Sequence, residues 1–231
     1  MAINGILRVS YLGHSCFLLE NEKGVRILMD PFDKSLGYNT EPLECNVITM
    51  SHEHFDHNNV RLGLGMPRVF KGVNNGSWVG IDTTYMGLRI FNVSVYHDEE
   101  MGKIRGKNSI FVLEFHDSSV PFRLCHLGDL GHDLEPEDVT RIGKVDILFV
   151  PIGGYFTIDS SVATRIVAKL SPRIVIPMHY RTDVTKTWNI DGPEKFVSSF
   201  KDIVYVKDWN YTIQPPDLQR ENVVILLEYR K

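Results

Sequence analysis

Residues 52–57, with the sequence HEHFDH, contain four side chains that can bind metal ions and directly follow a short apolar run. Imidazole and carboxylate groups are the ligands of catalytic zinc-type sites, in which water fills the remaining position. In extended backbone, residues two apart face the same side, so His52 and His54 can bind one ion. Asp56 and His57 diverge from that pair and are better placed for a second ion. The HEHFDH string therefore predicts a two-metal centre rather than a merely polar loop.

Three further candidate ligands, His97, Asp129 and His179, stand where strand-like apolar runs end. Strand ends lie at one edge of a sheet, where side chains from distant segments converge on a site. Taken alone, a histidine at a strand end is more often a hydrogen-bonded structural residue, and Gly128-Asp129 is typical of a turn. The HEHFDH string, however, requires partners from elsewhere. Together, five histidines and two aspartates suit two ions with a bridging carboxylate and a bridging water.

The remaining pattern predicts strands first and then strands mixed with helices. The predicted strands are 7–11, 16–19, 25–29, 88–96, 109–115, 122–127, 147–150, 173–177, 203–206 and 223–229. The predicted helices are a short one from Pro136, one that Asp159 or Ser160 caps and that ends at 171–172, and one from Pro193 through Phe200. This order suggests packed sheets with helices outside. No repeat or linker-like stretch divides the sequence, so we expect a single domain over residues 1–231.

The composition is that of an ordinary globular protein, with 43% hydrophobic and 23% charged residues in a chain of 231. The net charge of −4 gives no basic stripe, so we expect no dedicated nucleic-acid-binding surface. A nuclease that holds phosphate through metal ions is not excluded by this charge. The expected partner is therefore a small-molecule substrate, and a homo-oligomer is left open.

The three cysteines have no C-x-x-C spacing, which disfavours a disulfide scaffold or a zinc knuckle and favours a reducing cytosol. The first residues lack a basic region followed by a long apolar one, so we expect no signal peptide. No uncharged apolar stretch approaches the roughly 20 residues that span a bilayer. These features predict a cytoplasmic protein without a membrane partner.

Several blocks beyond the HEHFDH string are also characteristic. They are Gly13-His14, Asp30-Pro31, Tyr96-His97-Asp98, Arg105-Gly106-Lys107-Asn108, His126-Leu127-Gly128-Asp129, Pro151-Ile152-Gly153-Gly154 with Thr157, and Pro177-Met178-His179-Tyr180. Through these blocks, nearly the whole chain resembles the metallo-β-lactamase superfamily of hydrolases. Within that superfamily it is similar to the small stand-alone branch that includes ascorbate-6-phosphate lactonase-like proteins. The resemblance implies an α+β fold, a four-layer αββα sandwich with the metals at one edge of its two sheets.

The resemblance also implies a role for each candidate ligand. The first metal would be held by His52, His54 and His97, the second by Asp56, His57 and His179, and Asp129 would bridge them. Two divalent ions are expected, zinc first because the ligands are rich in histidine, with manganese or iron as alternatives. Position 129 is Asp, whereas some true β-lactamases of the superfamily have Cys there. This departure disfavours antibiotic hydrolysis and favours other esters or amides.

These observations predict a metal-dependent hydrolase. Two cations at about 3.5–4 Å lower the pKa of a shared water and give hydroxide near neutral pH. We expect attack on an ester, lactone or phosphodiester bond of a small, anionic substrate. Asp56 and Asp129 are the predicted catalytic carboxylates, and Asp56 would also orient the nucleophile.

Other polar residues are assigned to the surroundings of the metals. Predicted supports of the ligands are His14, Asp30 and His126, since a ligating imidazole usually donates its free N–H to an acceptor. Asp30 is the best acceptor, although capping the turn at Pro31 explains it equally well. Predicted substrate-binding residues are Arg105, Lys107 and Asn108, on a glycine-bearing loop, and Tyr155 and Thr157. For the charged loop residues a solvated surface role competes with this prediction. His116 is interpreted as a hairpin-turn residue, and His132 has no assigned role.

Three alternatives stay open. The chain could be a metal-binding protein with little or no turnover, although seven retained ligand positions argue against this. It could be a phosphodiesterase or nuclease acting on nucleic acid, because that reaction uses the same ligands. A redox role of the diiron type is disfavoured because no flavin module accompanies the domain.

Overall fold

The computed structural model describes residues 3–231, which form 18 strands, three α-helices and three short 3-10 helices. The strands are β1 (Leu7–Gly13), β2 (Cys16–Asn21), β3 (Arg26–Met29), β4 (Leu43–Glu44), β5 (Val47–Met50), β6 (Gly63–Leu64), β7 (Arg68–Lys71), β8 (Val73–Asn74), β9 (Ser77–Trp78), β10 (Asp82–Tyr85), β11 (Leu88–Tyr96), β12 (Lys107–Phe115), β13 (Phe122–His126), β14 (Ile147–Pro151), β15 (Ile174–Met178), β16 (Ile203–Val206), β17 (Asn210–Ile213) and β18 (Val223–Leu227). The α-helices are α1 (Pro136–Ile142), α2 (Ser160–Leu170) and α3 (Glu194–Val197). The 3-10 helices are Lys34–Leu36, Val60–Leu62 and Pro215–Gln219.

A six-stranded sheet has the order β17-β1-β2-β3-β5-β7. Its apolar residues alternate, so Phe17 and Leu19 of β2 face the main core while Cys16 and Leu18 face a second core. Both faces of this sheet are therefore covered, which explains why its strands are continuous apolar runs in the sequence.

An eight-stranded sheet, with the order β10-β11-β12-β13-β14-β15-β18-β16, packs against the first. Strands β10 to β13 pair antiparallel, and the remaining pairs are parallel. Aromatic rings fill the space between the sheets, with the centroid of Phe17 4.5 Å from that of Phe149. The predicted α+β sandwich is confirmed.

The outer layers of the sandwich differ from each other. Helix α2 packs Ala163 and Ile166 against the eight-stranded sheet, and Asp159 caps its first turn as predicted. The six-stranded sheet is covered by loops and 3-10 helices instead of α-helices. Residues 30–42 contain Pro31, Gly37 and Pro42, which favour turns over helix.

Some sequence predictions of local structure were incomplete. Strands β7, β10 and β17 were not predicted, because edge strands such as β10 are half-exposed and polar. Helix α3 ends at Val197 rather than at Phe200. The hydroxyls of Ser198 and Ser199 donate to the Lys195 carbonyl and so compete with the helical pattern. Within residues 3–231, no helix has the length and apolar character that crossing a membrane requires.

Six of the strands that end at the same edge of the sandwich lead into candidate site residues. In the six-stranded sheet, β1, β3 and β5 run in the same direction, and in the eight-stranded sheet β11, β13 and β15 do so. The residues that follow these strands are His14, Asp30, residues 51–57, His97, Asp129 and His179. The topology thus gathers the predicted ligands and two predicted supports from distant parts of the chain.

A candidate metal centre at the edge of the two sheets

The structure brings His52, His54 and His97 together as one cluster. Their candidate ligand atoms all lie within 4.8 Å of one another. The ring centroids of His52 and His54 are 4.6 Å apart, and those of His54 and His97 are 5.1 Å apart. His52 and His54 lie together, as the prediction of a shared ion requires, but residues 51–57 form bends and a turn rather than extended backbone.

A second cluster contains Asp56, His57 and His179, as predicted, and also His14. The turn that separates it from the first cluster is closed by a bond from the His57 N–H to the His54 carbonyl at 2.9 Å. This turn directs Asp56 and His57 away from His54. The structure thus groups these residues as the sequence predicted, and it adds His14, which was predicted as a support, to the second cluster.

Asp129 lies between the two clusters. Its Oδ2 atom is 3.2 Å from Nε2 of His57, 3.3 Å from Nε2 of His97 and 3.3 Å from Nε2 of His179. One carboxylate oxygen thus faces ligands from both groups, with His52 Nε2 at 4.0 Å. A carboxylate in this position has the geometry that a bridging ligand needs.

Asp30 and Ser51 fix the rings of His52 and His57. Asp30 Oδ2 accepts a hydrogen bond from His57 Nδ1 at 3.0 Å, and Asp30 Oδ1 accepts from the Ser51 N–H at 2.7 Å. The Ser51 hydroxyl donates to Asp30, so it can only accept from His52 Nδ1, which lies 2.9 Å away. Both imidazoles therefore carry a proton on Nδ1, and Nε2 is the atom that each ring turns towards the centre. Asp30 was predicted in this role, whereas Ser51 was not.

These Nε2 atoms provide a test of whether a metal fits. Nε2 of His52 is buried and has no hydrogen-bond partner among the described residues, and Nε2 of His57 faces Asp129 Oδ2 at 3.2 Å. Buried nitrogen lone pairs without a partner are costly unless a cation accepts them. Nitrogen and carboxylate oxygen donors of this kind suit a divalent ion such as zinc. The residues present therefore fit the metal that the string predicted.

The electrostatics of the site favour the protonation states that cations require. Burial, with neighbouring His57, lowers the pKa of His52 well below its usual value, so this ring is neutral. Burial alone would raise the pKa of Asp129, but His179 and His57 outweigh it and hold that pKa well below its usual value. Likewise, burial is outweighed by His57 and His14 at Asp56, whose pKa is lowered. Ionised carboxylates and neutral imidazoles are ready to bind metal.

His57 differs from the other imidazoles in this cluster. Burial would lower its pKa, yet the carboxylates of Asp129 and Asp56 outweigh burial and raise that pKa well above its usual value. In the absence of metal the ring therefore holds a proton between the two carboxylates. A cation that binds at Nε2 takes the place of this proton.

His14 contacts the ligand Asp56 directly. Its Nε2 is 3.1 Å from Asp56 Oδ2, and burial together with His179 lowers the pKa of His14 to about 4. The neutral ring can therefore donate its Nε2 proton to the carboxylate and orient it. His126, by contrast, bonds the Ser15 carbonyl and the Gly128 N–H, so it supports the loops around Asp129 rather than a ligand ring.

The predicted substrate-binding residues divide into three groups. Arg105 lines the cleft above the ligands, whereas Tyr155 and Thr157 line an adjoining cleft that Arg105 also borders. Lys107 instead places its ammonium group 4.5 Å from the centroid of the Trp78 ring. Asn108 is fully buried, and its amide bonds the Asp129 N–H and the Leu127 carbonyl. This geometry supports a positioning role for Asn108 rather than contact with substrate.

A cleft of about 740 Å³ opens directly above the ligands. Its walls include four apolar side chains that the sequence did not single out: Phe55, Ile104, Phe156 and Trp188. Phe55 alone carried a signal, because it is an apolar residue inside the HEHFDH string. The other three lie in loops far apart in sequence, and no local pattern marks them.

The two remaining histidines lie outside both clusters. His116 is in the turn between β12 and β13, as predicted, and bonds Glu114 at 2.8 Å. His132 Nε2 accepts a hydrogen bond from the Tyr96 N–H, and its Nδ1 is 2.8 Å from the Asp133 carbonyl. It therefore holds the backbone just before the ligand His97.

Comparison with known proteins agrees with this geometry. A family model described as a β-lactamase superfamily domain matches residues 8–179. The UPF0173 protein of Pyrococcus furiosus is 31% identical over 208 residues, which cover 82% of this chain and 89% of the relative. The UPF0173 metal-dependent hydrolase of Carboxydothermus hydrogenoformans is 30% identical over 198 residues, with coverage of 76% and 85%.

A crystal structure from Thermotoga maritima has been assigned to the zinc-dependent hydrolases of the metallo-β-lactamase superfamily. It matches 96% of this chain and 100% of its own with a TM-score of 0.72 and 30% sequence identity. The fold and the site thus define a metal-dependent hydrolase with the metallo-β-lactamase fold, as the sequence predicted. The chain belongs to the β-lactamase superfamily and, within it, to the UPF0173 family.

Proposed function

We propose that the protein binds two divalent metal ions, zinc in the first instance, and hydrolyses an ester, lactone or phosphodiester bond of a small, anionic substrate. The observation that carries this proposal is the position of Asp129, whose Oδ2 faces His97 of one cluster and His57 and His179 of the other. The first ion is assigned to His52, His54 and His97, and the second to Asp56, His57 and His179, with Asp129 between them.

When bound, such ions supply a polarising positive charge and a water of lowered pKa. The protein supplies the arrangement around them. Asp56 lines the cleft and is ionised, and His14 holds its Oδ2 atom, so Asp56 can accept a hydrogen bond from an attacking water and orient it. Asp129 is 2% exposed and therefore keeps its charge away from bulk water. Low exposure strengthens each of these electrostatic contacts.

The shape and charge of the site support a small substrate. A cleft of about 740 Å³ lies within the roughly 300–1,000 Å³ typical of small-molecule sites. The net charge of −4 and the single arginine at the cleft offer little attraction for a polyanion. Nucleic-acid cleavage is therefore the second candidate, supported only by the chemistry that phosphodiesters share with esters.

Metal analysis and a substrate panel test the proposal together. Protein purified without added metal is expected to contain about two ions per chain by elemental analysis. It should then hydrolyse at least one of a 4-nitrophenyl ester, a lactone and bis-4-nitrophenyl phosphate. A fully metallated protein that turns over none of these or a nucleic-acid substrate would show instead that the site only binds metal.

A ligand substitution links the metal to the activity. His54→Ala removes one donor of the first cluster, and we expect about one ion to be lost and the rate to fall at least 100-fold. His116→Ala is the matched control because His116 is an exposed turn residue outside both clusters. Unchanged metal content and hydrolysis in the His54 variant would refute the assignment.

A further inference from the structure

The cleft above the ligands has an apolar wall that is open to solvent. Phe55 and Ile104 line it and are 53% and 65% exposed, while Phe156 and Trp188 close its inner side. The ring centroids of Phe156 and Trp188 are 5.7 Å apart. Large apolar side chains grouped at the mouth of a site are costly to expose and usually contact a ligand. The wall therefore suits a flat or branched apolar group.

Only one positively charged side chain lines this cleft. Arg105 forms no ion pair within the described residues 3–231, and its guanidinium carbon lies 5.8 Å from the ring centroids of both Tyr155 and Phe156. The one carboxylate of the wall that is not a candidate ligand, Glu53, is already bonded to the N–H groups of Asn75 and Gly76. The charge of Arg105 is thus left without a protein counter-ion.

The loop that carries Arg105 is fixed before any ligand binds. The Asp98 carboxylate accepts four backbone N–H bonds, from Glu100, Gly102, Ile104 and Arg105, at 2.7 to 3.1 Å. These bonds occupy both oxygens of the Asp98 carboxylate. A planar guanidinium on a rigid loop, with aromatic rings beside it, is preorganised to bind a carboxylate or phosphate through two hydrogen bonds.

We infer that the substrate carries an apolar group of about the size of a fused aromatic ring beside an oxyanion, that Arg105 binds this oxyanion, and that the wall of Phe55, Ile104, Phe156 and Trp188 binds the apolar group. The inference rests on the proposed hydrolysis at the same site and narrows its substrate class. It makes Arg105 a residue that determines specificity, and it predicts that short polar anions are poor ligands. Carboxylate and phosphate share the required chemistry.

Binding to the zinc-loaded full chain tests this inference separately from turnover. Four probes are titrated by calorimetry: naphthalene-2-carboxylate, 2-naphthyl phosphate, naphthalene-2-carboxamide and acetate. We expect one of the two naphthyl anions to bind at least tenfold more tightly than both the carboxamide and acetate. The carboxamide keeps the ring without the charge, and acetate keeps a carboxylate that can still reach a metal.

In Arg105→Gln, the affinity for the preferred naphthyl anion should fall at least fivefold. The affinity for the carboxamide should stay within twofold of the wild-type value. Lys103→Gln is the matched control, because Lys103 is on the same loop and its side chain is 69% exposed. Ile104→Ser should weaken all three naphthyl probes and leave acetate unchanged. Metal content, measured for every variant, is expected to stay constant.

Two results would overturn the inference: equal binding of the naphthyl anion and the carboxamide, or wild-type affinity for the anion in the Arg105 variant. In the second case the anion contacts only the metal. If the anion preference depends on Arg105 but no member of the hydrolysis panel is turned over, the proposed reaction fails and the ligand class stands. If hydrolysis occurs and anion binding does not depend on Arg105, the proposed reaction stands and the ligand class is wrong.

Discussion

The two sheets hold the candidate metal ligands that they contribute by different means. In the share from the six-stranded sheet, side chains orient the rings: Asp30 bonds His57, and Ser51 connects Asp30 to His52. In the share from the eight-stranded sheet, Nδ1 of His97 and Nδ1 of His179 have no hydrogen-bond partner among residues 3–231.

On the eight-stranded sheet, hydrogen bonds to the backbone of the candidate ligands hold them instead. The His97 N–H donates to the Gly106 carbonyl at 3.0 Å, and the His179 N–H donates to the His14 carbonyl at 2.9 Å. The backbone of Asp129 is held too, because its N–H donates to the side-chain oxygen of Asn108. The difference indicates that small side-chain changes on the first side alter metal affinity alone. On the second side they also alter the stability of the fold.

The largest effect on metal binding among these supports is expected for Asp30→Asn. The carboxylate accepts from the Ser51 N–H, the Ser51 hydroxyl and His57 Nδ1, and an amide has only one oxygen for these donors. One donor must then face the amide N–H group, or His57 must move its proton to Nε2. Loss of such a support costs about 10–100-fold in metal affinity.

Zinc competition with a chromophoric chelator measures this effect, and thermal unfolding checks the fold. Asp117→Asn is the control, because the Asp117 side chain is 63% exposed and distant from the ligands in the structure. If the zinc affinity of Asp30→Asn is within twofold of the wild-type value, Asp30 only caps the turn at Pro31. The claim that side chains orient the imidazoles on the six-stranded sheet would then be wrong.

The comparison also shows what the sequence could predict. The clustering of the candidate ligands was predictable because four of them are nearly consecutive and the other three follow strongly apolar strands. The fold followed from the same strands. The parallel directions of β1, β3 and β5, and of β11, β13 and β15, then bring distant residues together. These signals are local, periodic and strong.

The residues that support the candidate ligands and those that line the cleft were harder to predict from the sequence. Residues 105–108 were predicted to be one loop, but β12 begins at Lys107, and neighbours in a strand face opposite sides. Lys107 therefore contacts Trp78 while Asn108 faces the centre. Phe156 and Trp188 reach the cleft through tertiary contacts alone. A hydrogen-bonding role such as that of Ser51 depends on ring orientation, which residue spacing does not encode.

A smaller effect on affinity, combined with a loss of stability, is expected for Asn108→Ala. The substitution leaves the buried Asp129 N–H and the Leu127 carbonyl without their partner. We expect the free energy of unfolding in urea to fall by about 2–6 kcal/mol, since each of the two buried groups left unpaired costs about 1–3 kcal/mol. Zinc affinity should fall by less than tenfold, because Asp129 itself is retained.

Asn92→Ala provides a matched control on the same sheet. Asn92 also bonds two backbone groups, the Val79 carbonyl and the Ile81 N–H, but it lies away from the ligands. Its replacement should reduce stability and leave zinc affinity unchanged. If Asn108→Ala changes the zinc affinity without changing the free energy of unfolding, both sheets support their ligands in the same way. The proposed difference between the two sheets would then be wrong.

The smallest effect is expected for Ser51→Ala, which separates the support of His52 from that of His57. Only the hydroxyl is lost, so Asp30 keeps the Ser51 N–H and His57. His52 alone loses its Nδ1 acceptor, and its ring can then turn or carry the proton on Nε2. We expect zinc affinity to fall about two- to tenfold, less than the roughly 10–100-fold typical of such supports, and the free energy of unfolding to stay unchanged.

The control for this substitution is Ser10→Ala, since Ser10 is also a buried serine and its hydroxyl donates to the side chain of Asn210, away from the candidate ligands. It should leave zinc affinity as in the wild type. If Ser51→Ala weakened zinc as much as Asp30→Asn does, orientation of His52 would dominate and His57 would need no support. If it had no effect, the backbone would orient His52 as it does His97, and side-chain support would be confined to His57.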